Sequence, residues 1–341
     1  MSAGSSQSQQ SLAARRTSSS SCSDRKSDKL HAMPAKSHAI VMRRTGPPEV
    51  LALEEVALAS LAHGEVRLRT LASAVNHSDL EIRAGSWAIR REPRFPYVPG
   101  LEVVGEVAEV APDVDGFAVG DRAWTMMQGL GGVRAERDGG YAEYVTVSAS
   151  AAASLPATID PIAFAAIGLA GVTAYQGLRT LGDLAGKTLV ITGASGGVGS
   201  VAVLLARAAG ADVVPLDRDS PPLRPGSADA VLDVVAGPLF PALIASLRHG
   251  GRYCVVGAIG GGDVQFDIWS LLGGLTLTGY STEDLDGEGL RAATRALLGL
   301  RLAPVQPTVM PLADAARAHA QLERREVKGR VVLVPSVGGG D

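Results

Sequence analysis

The sequence predicts an α/β chain in two parts, a mainly β half of barrel type followed by a doubly wound parallel sheet. Three observations carry that expectation. Short β-rich runs separated by Gly, Pro and Asp fill residues 39–147, among them AIVMRRTG, EVRLRTLASAV, VVGEVAEVA and YAEYVTV. Helical periodicity becomes frequent only after about residue 160. A β-branched run, a burst of glycines and an apolar helix-like segment then follow in KTLVITGASGGVGSVAVLLARAAG, residues 187–210.

Residues 1–37 differ from all that follows. They carry 11 serines in the first 27 positions and almost no large apolar side chains. Such a segment buries too little surface to offset its ordering entropy, so a disordered tail is expected. Arg15 and Arg16 in a Ser-rich stretch suit a transit peptide for organellar import, whereas Asp24 and Asp28 argue against one. A biological start at Met33 is the alternative.

The glycine-rich segment reads as strand, tight turn and helix. Ala194, Ser195, Gly196, Gly197, Val198 and Gly199 form the turn, with Ala194 where the commonest dinucleotide fingerprint has its first glycine. Gly196 and Gly199 would let the backbone approach a pyrophosphate and let the helix pack closely on the strand. The next strand, Ala211 to Asp217, places Asp217 18 residues beyond Gly199, close to the ~20 expected of the acidic residue that bonds the adenosine ribose. A βα turn that binds nothing is the competing reading.

Only residues 218–227 separate that strand from the following apolar run ADAVLDVV, and Pro221, Pro222 and Pro225 exclude a helix there. A parallel crossover usually needs a dozen or more residues, so one βα unit is missing. Ten extended residues reach ~33 Å, enough to return along a strand and step across neighbours ~4.8 Å apart. The sheet is expected to close without its outer strand, leaving the adenosine side open.

Composition sets the bounds. At 341 residues, 46% hydrophobic and 20% charged, the chain has room for about two domains. A net charge of −3 gives no electrostatic reason to bind nucleic acid or an anionic membrane, and no apolar run approaches a membrane span. Cys22 and Cys254 are the only cysteines, too few for a disulfide framework or a Cys-rich zinc site. A reducing, cytoplasmic setting is the simplest.

Nine motifs occur in order: GPPEVL (46–51), VNHSD (75–79), PGLEVVG (99–105), VGDR (119–122), GGYAEY (139–144), GVTAY (171–175), ASGGVG (194–199), GGRY (250–253) and KGRVVL (328–333). Together they resemble the medium-chain dehydrogenase/reductase superfamily, nearest to its quinone oxidoreductase branch. The resemblance implies a GroES-like catalytic domain, residues 38–159 and 281–341, around a Rossmann nucleotide-binding domain, residues 160–280. It also implies an NAD(P)H-dependent oxidoreductase and a homodimer paired through the nucleotide domain.

Zinc members of the family place a Cys and a His where this chain has Asn76 and Leu101, and their four-Cys lobe is absent, so no metal is expected. His77 is read as a surface residue and Glu102 as structural, paired with an Arg. Without a Lewis acid, plain alcohol oxidation loses several kcal/mol of stabilisation. A quinone, an activated double bond or an enoyl thioester accepts hydride with hydrogen-bond donors alone.

Asn76 and Asp79 are the catalytic candidates, Asn76 through its amide N–H; helix capping is the alternative for both. The family's downstream tyrosines are replaced by Glu81 and Trp87, so solvent serves as proton donor. Thr173, Gly257, Ala258 and Ile259 are expected beside the nicotinamide, with packing as the alternative. Asp217 favours NADH and Arg218 a 2′-phosphate. NADPH is the expectation, with NADH nearly balanced. An enoyl reductase of a biosynthetic pathway and a nucleotide-binding member without turnover are the rival readings.

Overall fold

The computed structural model describes residues 33–87, 94–126, 137–300, 306–327 and 329–336. Most of the tail expected at residues 1–37 lies outside them. Strand β1 (Lys36–Val41) already begins at Lys36 and pairs antiparallel with β2 (Ala52–Ala57).

The mainly β, GroES-like domain follows. The valine-rich runs form β3 (Glu65–Val75), β4 (Glu102–Val110) and β5 (Arg122–Met126), with helix α1 (His77–Ala84) between the first two. Strands β6 (Tyr144–Ser148) and β7 (Ala153–Leu155) close on β3 and β5. β3 is buried along most of its length because both edges are paired, with β4 and with β6.

The nucleotide domain starts with α2 (Pro161–Ala165) and α3 (Gly168–Leu181), then β8 (Thr188–Thr192), α4 (Gly197–Ala208) and β9 (Asp212–Leu216). β10 (Ala228–Asp233), α5 (Phe240–Ser246), β11 (Leu247–Val255) and β12 (Thr276–Gly279) complete it. All pairings are parallel, in the order β12-β11-β10-β8-β9. Among the described residues this is a Rossmann sheet of five strands with β9 at its edge and no strand outside it, as the short connection predicts. Pro215 within β9 has no N–H to offer a further neighbour, which suits an edge strand. The connection turns at residues 218–219 and 225–226 on its way back to β10, with Leu223 packed on the cluster of Val190, Val231 and Leu243, and Gly226 N–H bonds the Ala245 carbonyl at 3.0 Å.

Helix α6 (Gly287–Leu298) lies against both α3 and β7. β13 (Thr308–Pro311), α7 (Ala315–Glu323) and β14 (Val331–Val334) then return to the first domain, β14 pairing antiparallel with β3. The C-terminal segment thus completes the catalytic sheet. Among the described residues no helix is long and apolar enough to cross a membrane.

Trp124 joins the two domains. It is fully buried, meets Phe164 edge-on at 5.1 Å and donates its indole N–H to Thr294 Oγ1 at 2.9 Å. It is core rather than cleft lining, whereas Trp269 is 71% exposed. Trp124→Ala should lower unfolding free energy by about 3–5 kcal/mol in urea titration. Trp124→Phe, which keeps an aromatic ring against Phe164 but loses the N–H, should cost at least about 1 kcal/mol; a Phe variant as stable as wild type would contradict the hydrogen bond's role.

Candidate active site

Strand β8 ends at Thr192 and α4 begins at Gly197, so Gly193–Gly196 make the turn. Gly193 carries the left-handed conformation, φ +56°, and its carbonyl accepts the Gly196 N–H at 2.9 Å. A Cβ on Gly199 would lie 2.1 Å from that carbonyl oxygen, so the helix seats on the turn only because residue 199 has no side chain. Sequence reasoning did not single out Gly193; its signal is its place directly after the strand. Ala194 is buried, Val198 half-buried and Ser195 exposed.

The Ser195 N–H and hydroxyl both donate to Asp217 Oδ1, at 3.1 and 3.0 Å. The acidic residue after β9 therefore faces the turn across the open edge. Arg218 is exposed and has no ion pair among the described residues.

A buried polar cluster lies at the start of α4. Asn76 precedes α1 and donates its amide Nδ2 to Glu102 Oε1 at 2.8 Å. Arg330 donates from Nη2 to Asn76 Oδ1 at 2.7 Å, reaches Glu102 Oε1 at 3.5 Å and bonds the Ala166 carbonyl through Nε at 3.0 Å. The Leu169 N–H donates to Glu102 Oε2 at 2.9 Å. A Cβ on Gly197 would lie 3.3 Å from Arg330 Nη1, so the guanidinium touches both the catalytic side and the glycine turn. Glu102 is thus the arginine-paired residue expected. Its carboxyl is pushed above the ordinary range by burial, against the pull of Arg330, Asn76 and Leu169.

Asp79 reaches back to accept the Asn76 backbone N–H at 2.8 Å, the acidic half of a capping box. Asp79 therefore caps α1, the alternative weighed for it, whereas the Asn76 side chain bonds Glu102 and Arg330. Beyond Asp79 lie Tyr141 and His319, both buried, with Tyr141 Oη 3.3 Å from His319 Nε2. Thr173 on α3 donates its hydroxyl to the Leu169 carbonyl at 3.0 Å. Gly257, Ala258 and Ile259 follow β11; Ala258 and Ile259 are exposed, and Gly257 packs on Val234. His77 pairs at the surface with Glu81, 3.4 Å away.

Known proteins place this geometry in context. Residues 62–157 match the alcohol dehydrogenase GroES-like domain, and residues 209–333 a family described as zinc-binding dehydrogenase. A quinone oxidoreductase of Lama guanicoe is 30% identical over 331 residues, covering 87% of this chain and 97% of that protein. The chain belongs to the medium-chain dehydrogenase/reductase superfamily. An alcohol dehydrogenase of Geobacillus stearothermophilus is also 30% identical, over 84% of this chain and 96% of its own. The solved Escherichia coli quinone oxidoreductase complexed with NADPH superimposes with a TM-score of 0.75 at 26% identity, over 87% of this chain and all of that one.

Within this family the zinc of the second description needs thiolate, imidazole or carboxylate donors. Asn76 offers an amide already bonded to Glu102 and Arg330, Leu101 offers nothing, and the neighbouring Glu102 carboxylate is taken up by Asn76, Arg330 and the Leu169 N–H. The residues present do not fit that metal.

The cluster has a pH signature. Burial pushes the Asp79 carboxyl from its ordinary 3.8 to about 7, against the Asn76 N–H bond, with Glu102 adding to the rise. The folded state then holds a proton that the unfolded state has released, so this group's stability is full below about pH 4 and lost as pH rises through 7. His319, lowered by burial to about 3, has the opposite slope below pH 6.5. The stability difference between wild type and Asp79→Asn isolates the carboxyl. It should shift against the wild type between pH 4 and 7 by up to about 1.4 kcal/mol per pH unit in urea titrations; a constant difference would contradict the buried, protonated assignment.

Proposed function

We propose that the chain is a zinc-independent NAD(P)H-dependent reductase that transfers hydride to a quinone or an activated carbon–carbon double bond. The observation that carries this reading is the Asn76–Glu102–Arg330 cluster, which holds a neutral amide, where the family resemblance expects a metal-binding cysteine, beside a fixed cation. The quinone oxidoreductase relatives support it from a second direction.

The residues suit a nicotinamide dinucleotide. The first N–H groups of α4 and its positive dipole end favour a pyrophosphate, and the Arg330 guanidinium beside Gly197 adds charge of the same sign. Asp217, whose carboxylate accepts both Ser195 donors, is the residue that would bond the adenosine ribose in this reading. When bound, the reduced nicotinamide supplies the hydride. A conjugated acceptor moves the arriving electron pair onto its own oxygen, which solvent protonates; the Asn76 amide stays bonded to Glu102 throughout. Unconjugated aldehydes and ketones lack that extended sink and, without a Lewis acid, are poor acceptors in this reading.

NADPH is the proposed partner. Two donors already offset the Asp217 charge, and the neighbouring Arg218 is free to take a 2′-phosphate. A homodimer is proposed on the open outer edge of β12 and on Trp269 and Leu272, 71% and 75% exposed, in the segment leading to it.

Initial rates of NADPH and NADH oxidation with a quinone, an enone, an enoyl thioester and a simple aldehyde test the reading. Turnover is expected with the quinone or enone and not with the aldehyde. Turnover with the thioester alone would replace quinone reduction by enoyl reduction. Binding without oxidation by any acceptor would favour a nucleotide-binding protein that has lost its chemistry. Arg218→Ala should lower kcat/KM for NADPH by about 10-fold or more while leaving NADH within about twofold; equal losses for both would remove Arg218 from cofactor choice.

A further inference from the structure

Asp233, the last residue of β10, is fully buried, and among the described residues no Lys or Arg bonds it. Its Oδ1 accepts the Thr192 hydroxyl at 2.6 Å and the backbone N–H groups of Val235 and Ala236 at 2.8 and 3.0 Å. Its Oδ2 accepts the Tyr253 hydroxyl at 2.6 Å. Thr192 Oγ1 in turn accepts the Val234 N–H at 2.8 Å. One carboxylate therefore ties together β8, β10 and β11 at or near their C-terminal ends.

The segment it holds is strained. Ala236 sits at φ +56°, ψ −147°, which a residue with a side chain seldom adopts. Gly237 follows at φ +58°, and a Cβ there would lie 2.3 Å from the Gly260 carbonyl oxygen. A buried carboxylate costs more to desolvate than an apolar residue of its size, and strain of this kind collects where a ligand is gripped. Stability alone gives no reason for either.

The same segment is the shared neighbour of two distant stretches of chain. A Cβ on Gly193, in the glycine turn, would meet Val235 Cγ2 at 3.4 Å. A Cβ on Gly257 would lie 2.8 Å from the Val234 carbonyl oxygen, and Gly260 N–H donates to the Val235 carbonyl at 2.8 Å. The sheet order reverses between β8 and β10, and a crevice outside the strand ends at such a reversal is where α/β sheets take their ligands.

We propose that Asp233 is a positioning residue for the dinucleotide. By clamping residues 234–237 it fixes the spacing between the glycine turn and the stretch after β11, so that one cofactor spans both. The proposal rests on the nicotinamide-cofactor reading above. Asp233 takes no part in hydride transfer, so its loss is felt in cofactor affinity.

The test uses the full chain and NADPH as the probe. Asp233→Ala, Asp233→Asn and Tyr253→Phe are compared with wild type by fluorescence titration of NADPH, by KM for NADPH and for quinone, and by urea midpoint. Asn keeps an acceptor for Thr192, Val235 and Ala236 and can donate to Tyr253, so it is the rescuing variant and the safeguard should the Ala form not fold. Asp233→Ala should raise Kd and KM for NADPH at least about tenfold, a change of 1.4 kcal/mol. Quinone KM should stay within about twofold, because the acceptor does not meet this segment. Asn should recover most of the affinity, and Tyr253→Phe should weaken it less than Ala. A lowered urea midpoint with wild-type Kd in the folded variants would overturn the proposal and leave the cofactor reading standing. A wild-type chain that binds NADPH not at all would overturn both.

Discussion

The buried contact between Glu102 and Arg330 is the constraint on which the site depends: both belong to the β domain that β14 completes, and from it they hold the Leu169 N–H and the Ala166 carbonyl of the nucleotide domain. Glu102 opens β4 in the first domain and Arg330 immediately precedes β14, far away in sequence, yet both reach the same buried point. There they also hold Asn76 before α1, the Ala166 carbonyl and the Leu169 N–H at the head of α3. Removing one member of such a buried pair costs about 3–5 kcal/mol, because the other is left charged and unsatisfied. The cluster is therefore one of the points, with Trp124, at which the two domains are held together. Its guanidinium stands beside Gly197, so the cluster also sets the electrostatics at the first turn of the helix that would receive an anion.

A second constraint works on the other side of the nucleotide domain. The short, proline-rich connection forbids a helix and brings the chain from β9 to β10 through turns at residues 218–219 and 225–226, and the sheet ends at β9. Asp217 is then presented at an open edge, with Ser195 rather than a neighbouring strand to orient it. The domain keeps its switch-point crevice because that lies between β8 and β10, away from the missing unit.

Much of this was legible in the residues. The valine-rich runs of the first half, the strand, turn and helix around Gly199, and the absence of room for a helix between Asp217 and Ala228 all follow from local spacing and proline chemistry. The residues at positions 76 and 101 are read directly from the sequence, and the zinc-independent proposal starts from them. The rest depends on long-range approach that spacing does not encode. Arg330 lies 254 residues from Asn76, and nothing in KGRVV marks its side chain for the far end of β3. Asn76 could be read as donor or cap until Glu102 was seen to hold its amide. Asp233 sits in an apolar run, DAVLDVV, where a single acid resembles the end of a strand, and its partners Thr192 and Tyr253 come from two other strands.

The account stands on one claim, that the Asn76–Glu102–Arg330 cluster replaces the metal of the zinc-dependent relatives and leaves hydride transfer to a conjugated acceptor. The direct test is NADPH-dependent quinone reduction by protein stripped with a strong chelator, before and after adding zinc. The account predicts full activity after stripping and no gain on adding zinc. Activity lost on stripping and restored by zinc would contradict it.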